Sequence, residues 1–120
     1  MRLDALSQVT YEYWKDNAVE HVRRKLSQYE AMDRVRMAEA MKADVIELIR
    51  SSVTEDVKHI RSDYDESYIR NLLSCAASAI NYKDVADRIC YDYIPQKLGI
   101  TVPRFQPVVR TPIIKGIKRR

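Results

Sequence analysis

The chain has 120 residues, 46% of them hydrophobic and 32% charged. That is too apolar for an intrinsically disordered protein and too charged for a membrane-embedded one. The length suits one modest domain with an appendage, and the net charge of +4 is unevenly spread.

Residues 1–94 have no Gly and no Pro, with 14 Lys+Arg against 17 Asp+Glu. Residues 95–120 hold all four prolines and both glycines, with seven basic residues and no acid. Two kinds of polymer are expected: an acidic helical body (1–94) and a basic extended arm (95–120). Helix is the default for the body, because its breakers are missing and Ala, Glu, Lys, Arg, Met and Leu recur. Boundaries must then come from caps.

A first helix is expected from about residues 3–7 to 27. Leu6, Val9, Tyr13, Val22, Leu26 and Tyr29 mark its inward stripe by three- and four-residue steps. Tyr11, Tyr13 and Trp14 form an aromatic cluster, read as a cover for the open end of a small bundle or as a partner patch. Ser27 with Glu30 matches a capping box, either starting a second helix or lying inside a longer one. Val35, Ala38, Met41, Val45, Leu48 and Ile49 then mark one face. Ser51-Ser52 allows a restart or a bend there. Asp63 with Glu66 gives the clearest boundary, and Tyr64, Tyr68, Ile69, Leu72, Leu73 and Ala76 begin a new stripe. The small residues Ala76, Ala77 and Ala79 are expected at the centre of the core, where helices approach closely. Asn81 can end that helix in the left-handed conformation. A last helix over about residues 84–93 should turn Val85, Ile89, Cys90 and Tyr93 inward, and Pro95 should end it.

Cys75 and Cys90 are too few for a disulfide framework and read as reduced thiols packed like small hydrophobes. The first ten residues carry Asp4 and no apolar run, so no secretory signal is expected. The least polar run, residues 72–80, is far too short to span a bilayer. These points favour the cytoplasm or the interior of a virus particle.

Motifs for chemistry are thin. His59 follows Asp56 and Glu55 at spacings of three and four, but a second acid-His motif is missing, so a solvated helix face is expected rather than a metal site. No phosphate-binding glycine loop, nucleophile elbow or zinc motif occurs. The expectation is a non-enzyme with no metal, no cofactor and no small-molecule substrate. Residues 72–93 read as two helices around a turn, but Asp84, Asp87 and Asp92 make a poor face for DNA phosphates.

The arm carries the functional reading. Lys97, Arg104, Arg110, Lys115, Lys118, Arg119 and Arg120 are candidates for sequence-tolerant nucleic-acid contact, thickening toward the end. Ile100, Val102, Phe105, Val108, Val109, Ile113 and Ile114 are too apolar for a solvated tail and want a groove on a protein partner or another copy. Such an arm resembles, in composition, those of virus structural proteins and ribosomal proteins. The function expected is a structural or accessory component of a larger assembly, docked by the arm and touching nucleic acid with its basic tip. The alternative is a small regulatory or inhibitor protein that binds a partner through the helical body.

Overall fold

The computed structural model describes residues 2–63 and 67–104, and these form an all-α fold. Six α-helices are present in them: α1 (Ala5–Arg24), α2 (Leu26–Glu30), α3 (Arg34–Asp63), α4 (Ser67–Ala79), α5 (Tyr82–Arg88) and α6 (Ile94–Leu98). A π-helical turn, Ile89–Tyr93, joins α5 to α6.

Short polar side chains set the starts. Asp4 caps α1 by accepting the Ser7 N–H at 2.9 Å. Asp33 does the same for α3, accepting the Arg36 N–H at 3.0 Å. The Ser27–Glu30 pair caps nothing. Ser27 lies inside the one-turn helix α2, whose start has no side-chain cap. Ser51 and Ser52 interrupt nothing either, because α3 runs through them. The Ser51 hydroxyl donates to the Glu47 carbonyl at 2.6 Å, which satisfies it without breaking the ladder. Asn81 marks the expected boundary in a different role. Its φ is −88°, and its side chain accepts the Asp84 N–H, so it opens α5 rather than closing α4.

The core is a three-way junction of α1, the first half of α3 and the α5–α6 rod. Ala18, Val19 and Val22 meet Met41, Val45 and Ile49, and Val85, Ile89, Cys90 and Ile94 close the third side. The inward face of α1 departs from the expected stripe. Val9 and Tyr13 point outward, while Ser7, Thr10 and Tyr11 are buried. Local hydrogen bonds make this possible. The Thr10 hydroxyl donates to the Leu6 carbonyl at 2.9 Å. The Ser7 hydroxyl donates to Asp4 at 3.1 Å and accepts the Asn81 N–H at 3.0 Å. Satisfied hydroxyls cost little to bury, and this one ties the start of α1 to the start of α5.

Pro95 does not end the last helix. It sits in the first turn of α6. In a regular helix its ring would clash with the carbonyl four residues back. Here the preceding turn is widened, and the Ile94 N–H reaches back five residues to the Ile89 carbonyl. The wide turn also re-phases the apolar stripe. An α-helix continuing from Val85 and Ile89 would aim Asp92 or Tyr93 inward. The π turn leaves Asp92 exposed and buries Ile94 instead. The helix then ends at Gly99, whose φ of 65° is the left-handed conformation that glycine accepts freely.

The chain does not leave the body at residue 95. Leu98 and Ile100 are half-buried against the core, and Val102 is buried in it. The body therefore extends to Arg104.

The second half of α3 and all of α4 form a hairpin that extends away from this core. No described side chain from Ser51 to Ala79 is buried. A groove between the two helices is lined by Thr54, Val57, Lys58, Ser74, Ala77 and Ser78. The expected central position of Ala76, Ala77 and Ala79 is thus corrected: the first two are half-buried against one neighbouring helix and Ala79 is exposed. Close approach occurs there, but on a two-helix spur.

The two cysteines part company as well. Cys90 is buried, and burial pushes its thiol up to about 12. Cys75 is exposed on α4, not packed. At pH 8 one thiol per chain is expected to react with a disulfide reagent in the native protein and two in denaturant. Two fast thiols in the native state would contradict the packing of Cys90.

Candidate nucleic-acid interface at the root of the arm

The π turn sets Tyr91 and Tyr93 half-buried at the edge of the core, where α1 adds the buried Tyr11. Five cations from four elements and the segment after α6 gather over these three rings. Lys15 lies 5.4 Å from the Tyr11 ring centre and 5.0 Å from that of Tyr93. Arg88 lies 5.5 Å from Tyr11, and Lys97 5.4 Å from Tyr93. Lys42 and Arg104 share Tyr91, at 5.4 and 4.6 Å. Each such contact is worth about 0.5–1 kcal/mol at an exposed site. Tyr11 and Tyr93 also meet edge to face, with centroids 6.2 Å apart.

Acids interleave with the cations. Glu12 pairs with Lys15 at 2.7 Å and Asp87 with Lys42 at 3.5 Å. Asp92 reaches Arg88 at 3.8 Å and Arg104 at 3.6 Å. Asp16 accepts a hydrogen bond from the Tyr93 hydroxyl, which is the main reason that phenol is held above its ordinary range. Burial alone would lower Lys42, but its hydrogen bonds to Tyr91 and Asp87 and their charges outweigh it, so the amine stays cationic.

With five cations against four acids, this belt is close to neutral. Its phosphate affinity is small, since long-range attraction follows net charge. Its evident effect is mechanical. Arg104 is stacked on Tyr91 and paired with Asp92, and Val102 two residues earlier is buried. The last described residues are therefore fastened to the body.

The candidate site residues divide accordingly. Lys97 and Arg104 lie in the belt. Ile100 and Val102, expected to dock on a partner, pack on their own core. Their β-branched side chains match an extended strand in sequence but were needed to close the body. Arg110, Lys115, Lys118, Arg119 and Arg120 lie outside the described residues. So do Phe105, Val108, Val109, Ile113 and Ile114.

The belt itself was not read from the sequence. Its signal was the Tyr91-Asp92-Tyr93 alternation, which an ordinary helical period splits between inside and outside. The aromatic cluster of α1 also divides. Tyr11 joins the belt, while Tyr13 is 70% exposed and meets Trp14 edge to face at 5.0 Å.

His59 sits on an exposed face, 4.0 Å from Glu55. Among the described residues no group of three His, Cys, Asp or Glu side chains is placed to hold a metal ion, and no helix is long and apolar enough to cross a membrane. No family model, curated protein or solved structure matches the chain.

Proposed function

We propose that the protein is a non-catalytic component of a larger assembly, docked by residues 105–120 and touching nucleic acid with the basic end of that segment. The observation that carries this reading is the anchored root. Arg104 is fixed by Tyr91 and Asp92, and sixteen residues follow it with five basic groups and no acid. Such a segment would contact phosphates without reading sequence. Its setting would be one where nucleic acid is at hand, the cytoplasm or the inside of a virus particle.

The test is binding of random-sequence duplex by the full chain and by residues 1–104 across a salt series. The truncation point follows from the fold, since a cut at 94 would remove Leu98 and Val102 from the core. With five phosphate contacts the log–log salt slope for the full chain is expected to be about −4 to −5. The truncated chain should lose that component and keep its helical signal. Equal binding by both forms, or a flat salt response, would refute nucleic-acid contact through the arm.

One observation favours a second reading, a regulatory protein that binds a partner through the body: the outer face of α4 is apolar and exposed among the described residues. Capture of a partner by 1–104 as well as by the full chain would support it.

A further inference from the structure

The α3–α4 hairpin is an unfinished structure. On α4, Ile69, Leu73, Ala76 and Ala77 are half-buried, whereas Tyr68, Leu72, Cys75 and Ala79 are all exposed. The exposed four follow steps of four, three and four, which places them along one side of a helix. Tyr68 is 73% exposed and Leu72 53%. Ile60, on the neighbouring helix, is 40% exposed. The thirteen residues of α4 include one ionisable charge, Arg70. A helix so poor in charge, with apolar residues on two sides, lacks the solvated face expected of a surface helix.

Residues 105–120 have the opposite deficiency. Phe105, Val108, Val109, Ile113, Ile114 and Ile117 put six apolar groups into sixteen residues. The charges also match. Residues 51–79 carry five acids against three Lys+Arg, and residues 105–117 carry two basic residues and no acid. We propose that the outer face of the α3–α4 hairpin receives residues 105–117 of a neighbouring copy of this chain. This rests on the arm-docking reading above and names its protein partner.

Geometry selects the neighbour over the chain's own arm. Arg104 and Lys42 share the Tyr91 ring, so the last described residue before the arm lies beside Lys42 on α3. The hairpin begins about ten residues further along α3, about 15 Å away. An arm turning back on its own hairpin spends about five extended residues on that gap, Phe105 and Val108 among them. On a neighbour's hairpin all six apolar residues are available. Each copy then gives one arm and offers one face. Such a head-to-tail contact is heterologous, and it grows into rings or filaments rather than stopping at two.

Light scattering after size exclusion, on nuclease-treated protein over a range of concentrations, tests this. Two variants are used: residues 1–104, which retain the whole core from Leu3 to Val102, and full-length Leu72→Glu, altered at an exposed position. Circular dichroism checks that both are folded. The full chain is expected to exceed dimer mass as concentration rises. Each variant alone should remain a monomer. Their equimolar mixture should give a 1:1 complex, because one supplies the face and the other the arm. Self-association of 1–104 alone, a full chain that stays monomeric, or a mixture without a complex each overturns the proposal. Duplex binding by Leu72→Glu should match the unmodified chain, so this pairing and the nucleic-acid reading can fail separately.

Discussion

Ile49→Ala is expected to lower the unfolding free energy by about 2–5 kcal/mol, and Ile60→Ala by under about 1 kcal/mol. The two isoleucines share α3 and lie eleven residues apart, just over three full turns, so they sit on nearly the same side of the helix. Ile49 is fully buried between α1 and α5, while Ile60 is partly exposed on the hairpin. The difference tests where along α3 the core stops. Removing three carbons at Ile49 leaves a cavity that its neighbours fill only in part. At Ile60 water replaces the lost atoms. Urea unfolding of both variants gives the comparison. Equal losses would mean that the core continues along the hairpin.

The second large effect belongs to Tyr29, the largest fully buried side chain among the described residues. Its hydroxyl donates to Asp44 Oδ2, and the same oxygen accepts from Lys25 Nζ at 2.8 Å. Tyr29→Ala is expected to cost about 3–5 kcal/mol through lost packing. Tyr29→Phe should cost about 1–2 kcal/mol, because the ring stays and the hydrogen bond goes. Burial alone would raise the Asp44 carboxyl, but the bonds from Lys25 and Tyr29 outweigh it and hold it below the usual aspartate value. A carboxyl with a depressed native pKa adds stability above its unfolded value, near 3.8. That stability is lost as pH falls through the native value. Stability measured from pH 6 down to pH 2.5 should therefore fall less steeply in Tyr29→Phe than in the unmodified chain. Parallel curves would show that Tyr29 does not hold the carboxylate.

Much of this fold was legible in the sequence. The absence of Gly and Pro before residue 95 leaves helix as the default, and the inward face of α3 follows from Ala38, Met41, Val45 and Ile49 alone. The face of α1 was missed because half of it is polar. Ser7 and Thr10 go inside only because Asp4, Asn81 and the Leu6 carbonyl satisfy them, and hydropathy contains none of those partners. The cap of α3 was missed because Ser27–Glu30 fits a capping pattern, whereas the backbone turns only after Ala31 and Asp33 does the capping. Position in the core was misjudged for α4. Amphipathicity says that a helix has an apolar side, not that the same chain covers it. The belt of tyrosines and cations was hidden by the π turn, which no three- or four-residue period anticipates. Of the candidate site residues, Lys97 and Arg104 are engaged with Tyr rings, and Ile100 and Val102 are taken up by the core.

The wide turn at Ile89–Tyr93 also bears on how this chain can change in length. A π turn is an α-helical turn that has absorbed one additional residue. Ile89 and Ile94 are both buried and five apart, so excising one residue between them would set them four apart, on the same side of an unbroken α-helix. The core would keep its partners, provided Pro95 were exchanged for a residue with an N–H. The same excision near Val45 would rotate every later side chain of α3 by about 100° and expose Ile49. The turn that holds Tyr91 and Tyr93 is thus a place in the buried framework that accommodates one residue more than an α-helical turn.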